Sequence, residues 1–373
     1  MMRGAVAGIL FLAAPVTQGR TFDLMLHWNG PDAAQPLEGS WSTLAGKEYV
    51  VETASDLSDW SLLHEMKLGD GSPTLQALPW TNDRRFFRVW ELSPSNKAWV
   101  TPEAVTPLAS LNLFRSPALN RPVSYHIMLP TSYATQPERR YPVIYWLHGS
   151  GGGIDGIAQL ANFFSNVMTA GRMPHALVVF PNGLPNSMWC DSKDGATPVE
   201  TIVIDELIPH VDRSYRTIAS RAGRIVEGFS MGGHGAGRYG FKFSQTFRAS
   251  SLLGAGPLQL DFLENDPDLQ PIELRRALFA QVYDSDMNYY LAQHPRTWAE
   301  SRAGQLPADH RIRIVVGTAD TMLGNNRELR DHLIALGIPH DYIEVAGVGH
   351  SPLPTLTGAD NADFYQSVLS GAE

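Results

Sequence analysis

The chain has 373 residues, 43% hydrophobic and 18% charged, which excludes a disordered or fibrous protein and allows a large core. A net charge of −9 without a basic stripe argues against nucleic acid as a partner. Cys190 is the single cysteine, so no intramolecular disulfide can form.

The N-terminus opens Met1-Met2-Arg3 and continues into the apolar run Ala5 to Val16. A basic start, a short apolar core and a small residue at Gly19 read as a secretory signal peptide over residues 1–19. The run is short for a bilayer span and no other stretch is longer, so no membrane insertion is expected after leader removal. The expected location is secreted or periplasmic.

Residues 20–92 carry short alternating runs, such as Lys47 to Thr53 and Arg85 to Trp90, between turn clusters such as Gly69-Asp70-Gly71-Ser72-Pro73. Short strands with frequent turns predict a small all-β, sandwich-like accessory domain. This stretch resembles a β-module common in multidomain secreted bacterial proteins. Trp41, Trp60, Trp80 and Trp90 belong either to a sugar-stacking face or to its core. Ser93-Pro94-Ser95-Asn96 opens a linker over residues 93–107.

Beyond it, residues 108–373 show a different pattern. Leu111 to Pro130 reads as an antiparallel hairpin at a sheet edge. Tyr141 to Leu147 and Ala176 to Phe180 are unbroken apolar runs, as expected of strands buried on both faces. Helical patterns over Pro198 to Val211, Met231 to Phe243 and Asn325 to Leu336 intervene, and Ile312 to Val316 and Asp341 to Val345 add strands. Strands alternating with helices predict an α/β fold with a mainly parallel sheet and right-handed crossovers.

The most informative stretch is Gly228-Phe229-Ser230-Met231-Gly232, between the strand Arg224 to Glu227 and the helix that follows. A Gly-x-Ser-x-Gly run at a strand-to-helix turn is a nucleophile elbow, which lifts the serine hydroxyl clear of the backbone. A serine hydroxyl needs a base, and the base an orienting acid. Asp320 follows a strand end and His350 lies in Gly347-Val348-Gly349-His350-Ser351, both where the carboxyl edge of the sheet is expected. Their chain order, Ser then Asp then His, is that of an elbow hydrolase. His234, His332 and Glu344 are weaker candidates, placed inside the elbow helix, on a helix surface and within a strand. Backbone N–H donors for an oxyanion are expected from Met231 and from the loop His148-Gly149-Ser150-Gly151-Gly152-Gly153, at Ser150 or Gly151. His148 serves as a brace of that loop or as part of the substrate side. The glycine run is not a phosphate loop, since no Gly-Lys-Ser/Thr follows it.

Six pieces in this order carry a family resemblance: Tyr141 to Gly149, Glu206 to Asp212, Tyr215-Arg216-Thr217, Gly228 to Gly233, Gly317 to Asp320 and Gly347 to His350. Residues 108–370 resemble the esterases that include feruloyl and acetylxylan esterases of carbohydrate esterase family 1, esterase D (S-formylglutathione hydrolase), enterochelin esterase and the antigen 85 mycolyltransferases. The resemblance implies an α/β-hydrolase fold with Ser230, Asp320 and His350 as triad and no metal or organic cofactor. It also sets Trp189 and Asp191 on the substrate side, with Cys190 departing from the usual small or polar residue between them. The reading expects a secreted serine esterase acting on polysaccharide esters, foremost feruloyl esters. Acetylxylan esterase or a broad carboxylesterase is the alternative, and a peptidase or a non-catalytic binding protein ranks below both. Acyl specificity is assigned to the insert Pro257 to Asp309, whose Phe262, Phe279, Tyr283, Tyr289, Tyr290 and Trp298 either embrace an aromatic acyl group or form the core of a cap.

Overall fold

The computed structural model describes residues 25–30, 37–45, 47–55, 61–63, 67–78, 85–92, 99–264, 271–359 and 361–370. The expected leader, residues 1–19, lies outside them. The chain divides into two units, one of residues 1–100 with 112–123, the other of residues 101–111 with 124–373.

The first unit contains strands β1 (Met25–Trp28), β2 (Leu37–Ser42), β3 (Glu48–Ala54), β4 (Ser61–Leu62), β5 (Lys67–Leu68), β6 (Pro73–Ala77) and β7 (Phe86–Leu92). β1, β2 and β6 form one antiparallel sheet, and β3 pairs antiparallel with β4, β5 and β7. The core between these strands is Leu37, Trp41, Tyr49, Val51, Leu78, Phe87 and Val89. Trp41 is thus a core residue and belongs to no sugar-stacking face; the side chains of Trp60, Trp80 and Trp90 lie outside the described residues. Glu52 faces Arg88 across the β3–β7 ladder, and the pair is joined at 2.5 Å with both side chains buried.

The expected edge hairpin is β8 (Ala109–Ser116) and β9 (Arg121–Met128). Then follow β10 (Val143–Leu147), helix α1 (Ile157–Thr169), β11 (Leu177–Pro181), the helical segment 199–214 and β12 (Arg224–Phe229). The chain continues with helix α3 (Met231–Lys242), counting segment 199–214 as α2, and with β13 (Ala249–Leu253). After the insert come β14 (Arg311–Gly317), a helix over Leu323–Ala335 and β15 (Asp341–Val345). Strand order is β8-β9-β11-β10-β12-β13-β14-β15, with β9 antiparallel to β11 and every pair from β11 to β15 parallel. This is the α/β-hydrolase arrangement. β10 and β11 are buried along their whole length, which is why they read as unbroken apolar runs. Helix α1 is additional to the expected helices; Ile157, Leu160, Ala161, Phe164, Val167 and Met168 form its buried stripe at helical spacing.

Thr101 and Ala104, within the segment read as linker, are tied to Ser124 and His126 of β9, while residues 93–98 lie outside the description. The order of strands matters more for function. β10 lies between β11 and β12, so the chain leaves it toward opposite sides, and a crevice opens at the carboxyl ends of such strands. The register Leu147↔Gly228 brings the loop after β10 beside the turn after β12.

One buried ionic network braces the strand that leads to that turn. Glu227, Ser251 and Arg313 sit opposite one another on β12, β13 and β14. Arg313 Nη2 donates to Glu227 Oε1 at 2.7 Å and to Ser251 Oγ at 2.9 Å, and Tyr365 Oη donates to Glu227 Oε2 at 2.5 Å. The guanidinium also lies 3.9 Å from the Phe364 ring centroid. Removing one partner leaves the other charge buried and uncompensated, so Arg313→Met is expected to cost about 3–5 kcal/mol of folding stability. Urea unfolding of the variant measures this; a loss below about 1 kcal/mol would show that Glu227 finds another partner or a proton at little cost.

Candidate active site

The elbow is built by excluded volume. A Cβ on Gly232 would run into the Leu147 carbonyl, and one on Gly228 into the Gly232 backbone. The turn leaves Ser230 at φ 58° and ψ −120°, a conformation a non-glycine residue holds only when its surroundings impose it. They do so through hydrogen bonds. Ser230 N–H donates to the Leu253 carbonyl at 2.9 Å, while the Ser230 carbonyl accepts from His234 N at 3.0 Å and Gly256 N at 3.1 Å.

The three residues expected to form a triad meet at the carboxyl edge of the sheet. Ser230 Oγ is 2.9 Å from His350 Nε2, and His350 Nδ1 is 2.9 Å from each oxygen of Asp320. The Asp320 side chain is wholly buried and its Oδ1 also accepts from Met322 N at 2.8 Å. Their loops are tied together: Ala319 N–H donates to the Val348 carbonyl at 2.9 Å, and Gly347 N–H to Thr318 Oγ1 at 2.8 Å. The Phe229 ring covers the imidazole at 4.5 Å between centroids. Gly254, at φ 46°, leaves the room this pair needs, because a Cβ there would sit 2.9 Å from Asp320 Oδ2 and from the Phe229 ring. Residues so arranged can pass a proton from serine to imidazole and stabilise the resulting cation.

The weaker candidates are elsewhere. His234 is buried against His294, His332 is 3.1 Å from Glu300, and Glu344 is paired with Arg327 at 2.7 Å.

On the oxyanion side, Met231 is the first residue of its helix, so its N–H has no acceptor within that helix. Gly149 packs against the serine, with the position of its Cβ only 3.3 Å from Ser230 Cβ, and Ser150 lines the same cleft. Gly151 does not share this role: its N–H donates to the Pro185 carbonyl at 2.9 Å. Ser150 therefore stays as the donor expected from this loop. His148 is the brace of the loop. Its Nδ1 lies 2.7 Å from the Gly149 carbonyl and its Nε2 accepts from Gly183 N at 3.1 Å, a pairing that requires the neutral ring. Burial pushes its pKa down to about 4, in keeping with that tautomer.

The residues expected on the substrate side turn inward instead. Trp189 is fully buried, with its ring against Gly183 and Gly235 and its Nε1–H donating to the His148 carbonyl at 3.0 Å. It supports the loop after β10 from beneath and is not among the residues that line the cleft beside the serine. Asp191 is occupied too: its carboxylate accepts from Thr201 N at 3.0 Å and Thr201 Oγ1 at 2.7 Å, and its carbonyl from Tyr289 Oη at 3.0 Å. The physical reason is the backbone of Met188 and Trp189, both in the left-handed region at φ 54° and 53°, which turns the indole into the interior. Burial pushes the neighbouring Cys190 thiol up to about 12, so it stays protonated and unreactive.

The cleft beside the serine holds about 270 Å³ and is lined by Ser150, Ser230, Gly256, Pro257, Gln259, Phe262, Arg275, Leu278, Thr321, Met322 and His350. Five of these eleven residues, Pro257, Gln259, Phe262, Arg275 and Leu278, come from the insert, but only one of them is an expected aromatic. Phe262, Phe279, Tyr283 and Tyr290 are buried and pack on one another at 5.0 to 6.4 Å between centroids, forming the core of a cap over helices Ile272–Tyr283, Met287–Gln293 and Pro295–Arg302. Of the six, only Phe262 also lines the cleft. Gln259, Arg275 and Leu278 of the insert, and Met322 beyond it, were not singled out by sequence reasoning, because no periodic signal tells which way such single residues face.

Comparison with known proteins agrees with this fold. An esterase of Mycobacterium tuberculosis is 30% identical over 267 residues, covering 66% of this chain and 56% of that protein. The chain thus spans little more than half the length of that relative. An endo-1,4-beta-xylanase/feruloyl esterase of Xylanibacter ruminicola is 32% identical over 130 residues, 32% of this chain and 18% of that protein. A ferulic acid esterase structure matches with a TM-score of 0.56 at 23% identity, over 70% of this chain and 96% of that one, a likeness of fold. The esterase family model matches residues 116–350, from the edge hairpin through His350. The chain belongs to the esterase family, the one its motifs resemble.

Proposed function

We propose that the protein is a serine carboxylic-ester hydrolase acting on hydroxycinnamoyl esters of plant polysaccharide. The observation that carries the hydrolase reading is the unbroken relay from Ser230 through His350 to Asp320, opening on a cleft. Ser230 Oγ attacks the acyl carbon as its proton passes to His350 Nε2. Met231 N–H and Ser150 N–H hold the oxyanion. The imidazolium then protonates the departing alkoxide, leaving an acyl-enzyme. Water attacks this ester with His350 as base, releasing the acid and restoring the serine. Asp320 stays ionised throughout and keeps the Nδ1–H tautomer.

The acyl class is supported by the apolar cleft walls Phe262, Leu278, Met322 and Pro257, which offer a planar acyl group a surface, and by the feruloyl esterase named among the relatives. The basic start and apolar run of residues 5–16 support export. With methanol as common leaving group, kcat/KM is expected to be higher for methyl ferulate than for methyl acetate. Equal or reversed values would assign the chain to acetylxylan esterases or broad carboxylesterases and leave the relay untouched.

A further inference from the structure

The two N–H groups assigned to the oxyanion belong to separate segments, so their mutual distance has to be fixed by other groups. Met231 opens helix α3, while Ser150 lies in the loop after β10. Trp189 bridges these segments. Its indole Nε1–H donates to the His148 carbonyl at 3.0 Å, and its own carbonyl accepts from Arg238 Nη1 at 3.1 Å. Gly235 and Arg238 follow Met231 at helical spacing, which places all three on one face of α3. A Cβ on Gly235 would stand 2.6 Å from Trp189 Cβ, and one on Gly183 would run into the far rim of the indole. The ring is therefore wedged between the elbow helix and the loop after β11. Arg238 is anchored in turn, buried in an ion pair with Glu200 and a hydrogen bond to Gln293.

The link runs on to the donor itself. The indole holds the His148 carbonyl, and the Gly149 carbonyl accepts from His148 Nδ1 at 2.7 Å. That nitrogen carries the proton because Nε2 accepts from Gly183 N. A peptide group is planar and trans, so a Gly149 carbonyl held on one side fixes the Ser150 N–H on the other. We propose that Trp189 and Arg238 are positioning residues for the oxyanion. Together they form a strut from the elbow helix that sets where the Ser150 N–H stands relative to the Met231 N–H. This inference rests on the acyl-transfer reading above and is independent of which acyl group is cleaved. Neither residue is among those lining the cleft. The strut serves a charge that exists only in the transition state, so its loss falls on kcat and spares KM.

Trp189→Phe removes the indole N–H and keeps an aromatic ring between the two glycines. On p-nitrophenyl acetate it is expected to lower kcat by about 10- to 100-fold with KM within about twofold, because a small misplacement forfeits much of a donor's worth. The second readout is inhibition by a trifluoromethyl ketone. Ser230 Oγ bonds to its carbonyl carbon, the serine proton passes to His350, and the ketone oxygen becomes the oxyanion. Its affinity is expected to fall in parallel with kcat/KM. A merely structural role lowers the unfolding midpoint and leaves both quantities unchanged per folded molecule, which overturns the proposal. A loss carried by KM overturns it too. Arg238→Lys probes the other end, since it keeps a charge for Glu200 but gives up the fork that also reaches the Trp189 carbonyl. On a single path the double variant is no slower than the slower single one, and effects that multiply overturn the strut. Should either variant not fold, ketone affinity in the other decides. A parent protein that turns over no ester and binds no ketone fails the acyl-transfer reading and the inference together. An active parent with unchanged ketone affinity in Trp189→Phe fails only the inference.

Discussion

Ser230→Ala is expected to lower kcat on small carboxylic esters by about 10⁴-fold or more, with little change in the unfolding midpoint. The hydroxyl is the only atom removed, and its one described partner is His350 Nε2, at 2.9 Å. The elbow itself is held by main-chain bonds to Leu253, His234 and Gly256, none of which involves that hydroxyl. The loss should therefore fall on kcat while the fold remains. Steady-state turnover of p-nitrophenyl acetate, beside thermal unfolding of both proteins, checks it. Retention of most activity would remove Ser230 as nucleophile and with it the acyl-enzyme.

Asp320→Asn should impair turnover almost as severely, by about 10⁴-fold. The carboxylate has two oxygens at 2.9 Å from His350 Nδ1, and Oδ1 also takes the Met322 N–H. An amide in the same place presents an NH₂ toward the ring or toward Met322. The first choice favours the imidazole tautomer with its proton on Nε2, where it cannot accept from serine; the second sets two donors against each other. The shape is nearly unchanged, so the unfolding midpoint should move far less than the rate. Near-parent activity would show that another carboxylate orients the base. Glu344 is engaged by Arg327 and Tyr342, which makes it a poor substitute.

The meeting of Ser230, His350 and Asp320 is foreshadowed in the sequence because its signals are local. Gly228 and Gly232 bracket Ser230 at a strand-to-helix junction, and only glycine fits where a Cβ would meet backbone. Asp320 and His350 each follow an apolar strand, and parallel strands deliver their C-terminal loops to one edge. Arg313 is a counter-example inside a strand. Its charge suggests an exposed position, yet it is buried because Ser251 on the next strand and Glu227 on the one beyond stand in register with it. That pairing joins residues far apart in the chain and leaves no mark in the local pattern.

The cleft was harder to read for the same reason. Trp189-Cys190-Asp191 looks like a pocket wall by sequence, but two consecutive left-handed residues and the space above Gly183 and Gly235 turn the indole inward. The insert's aromatics satisfy one another, so apolar composition alone did not tell a cap core from a binding wall. Gly151, next to Ser150, spends its N–H on the carbonyl of Pro185, a residue of another loop.

The amino-acid sequence by itself determined the parallel α/β fold, the strand-to-helix turn at Ser230 and the placement of Asp320 and His350 at the same sheet edge. These follow from strand and helix periodicity and from steric limits that act within a few residues. Only the tertiary structure decided which side chains face the cleft and which oxyanion-loop amide stays unspent. Those outcomes depend on hydrogen bonds and packing between segments distant in the chain, where no local spacing specifies which of two neighbouring residues turns inward.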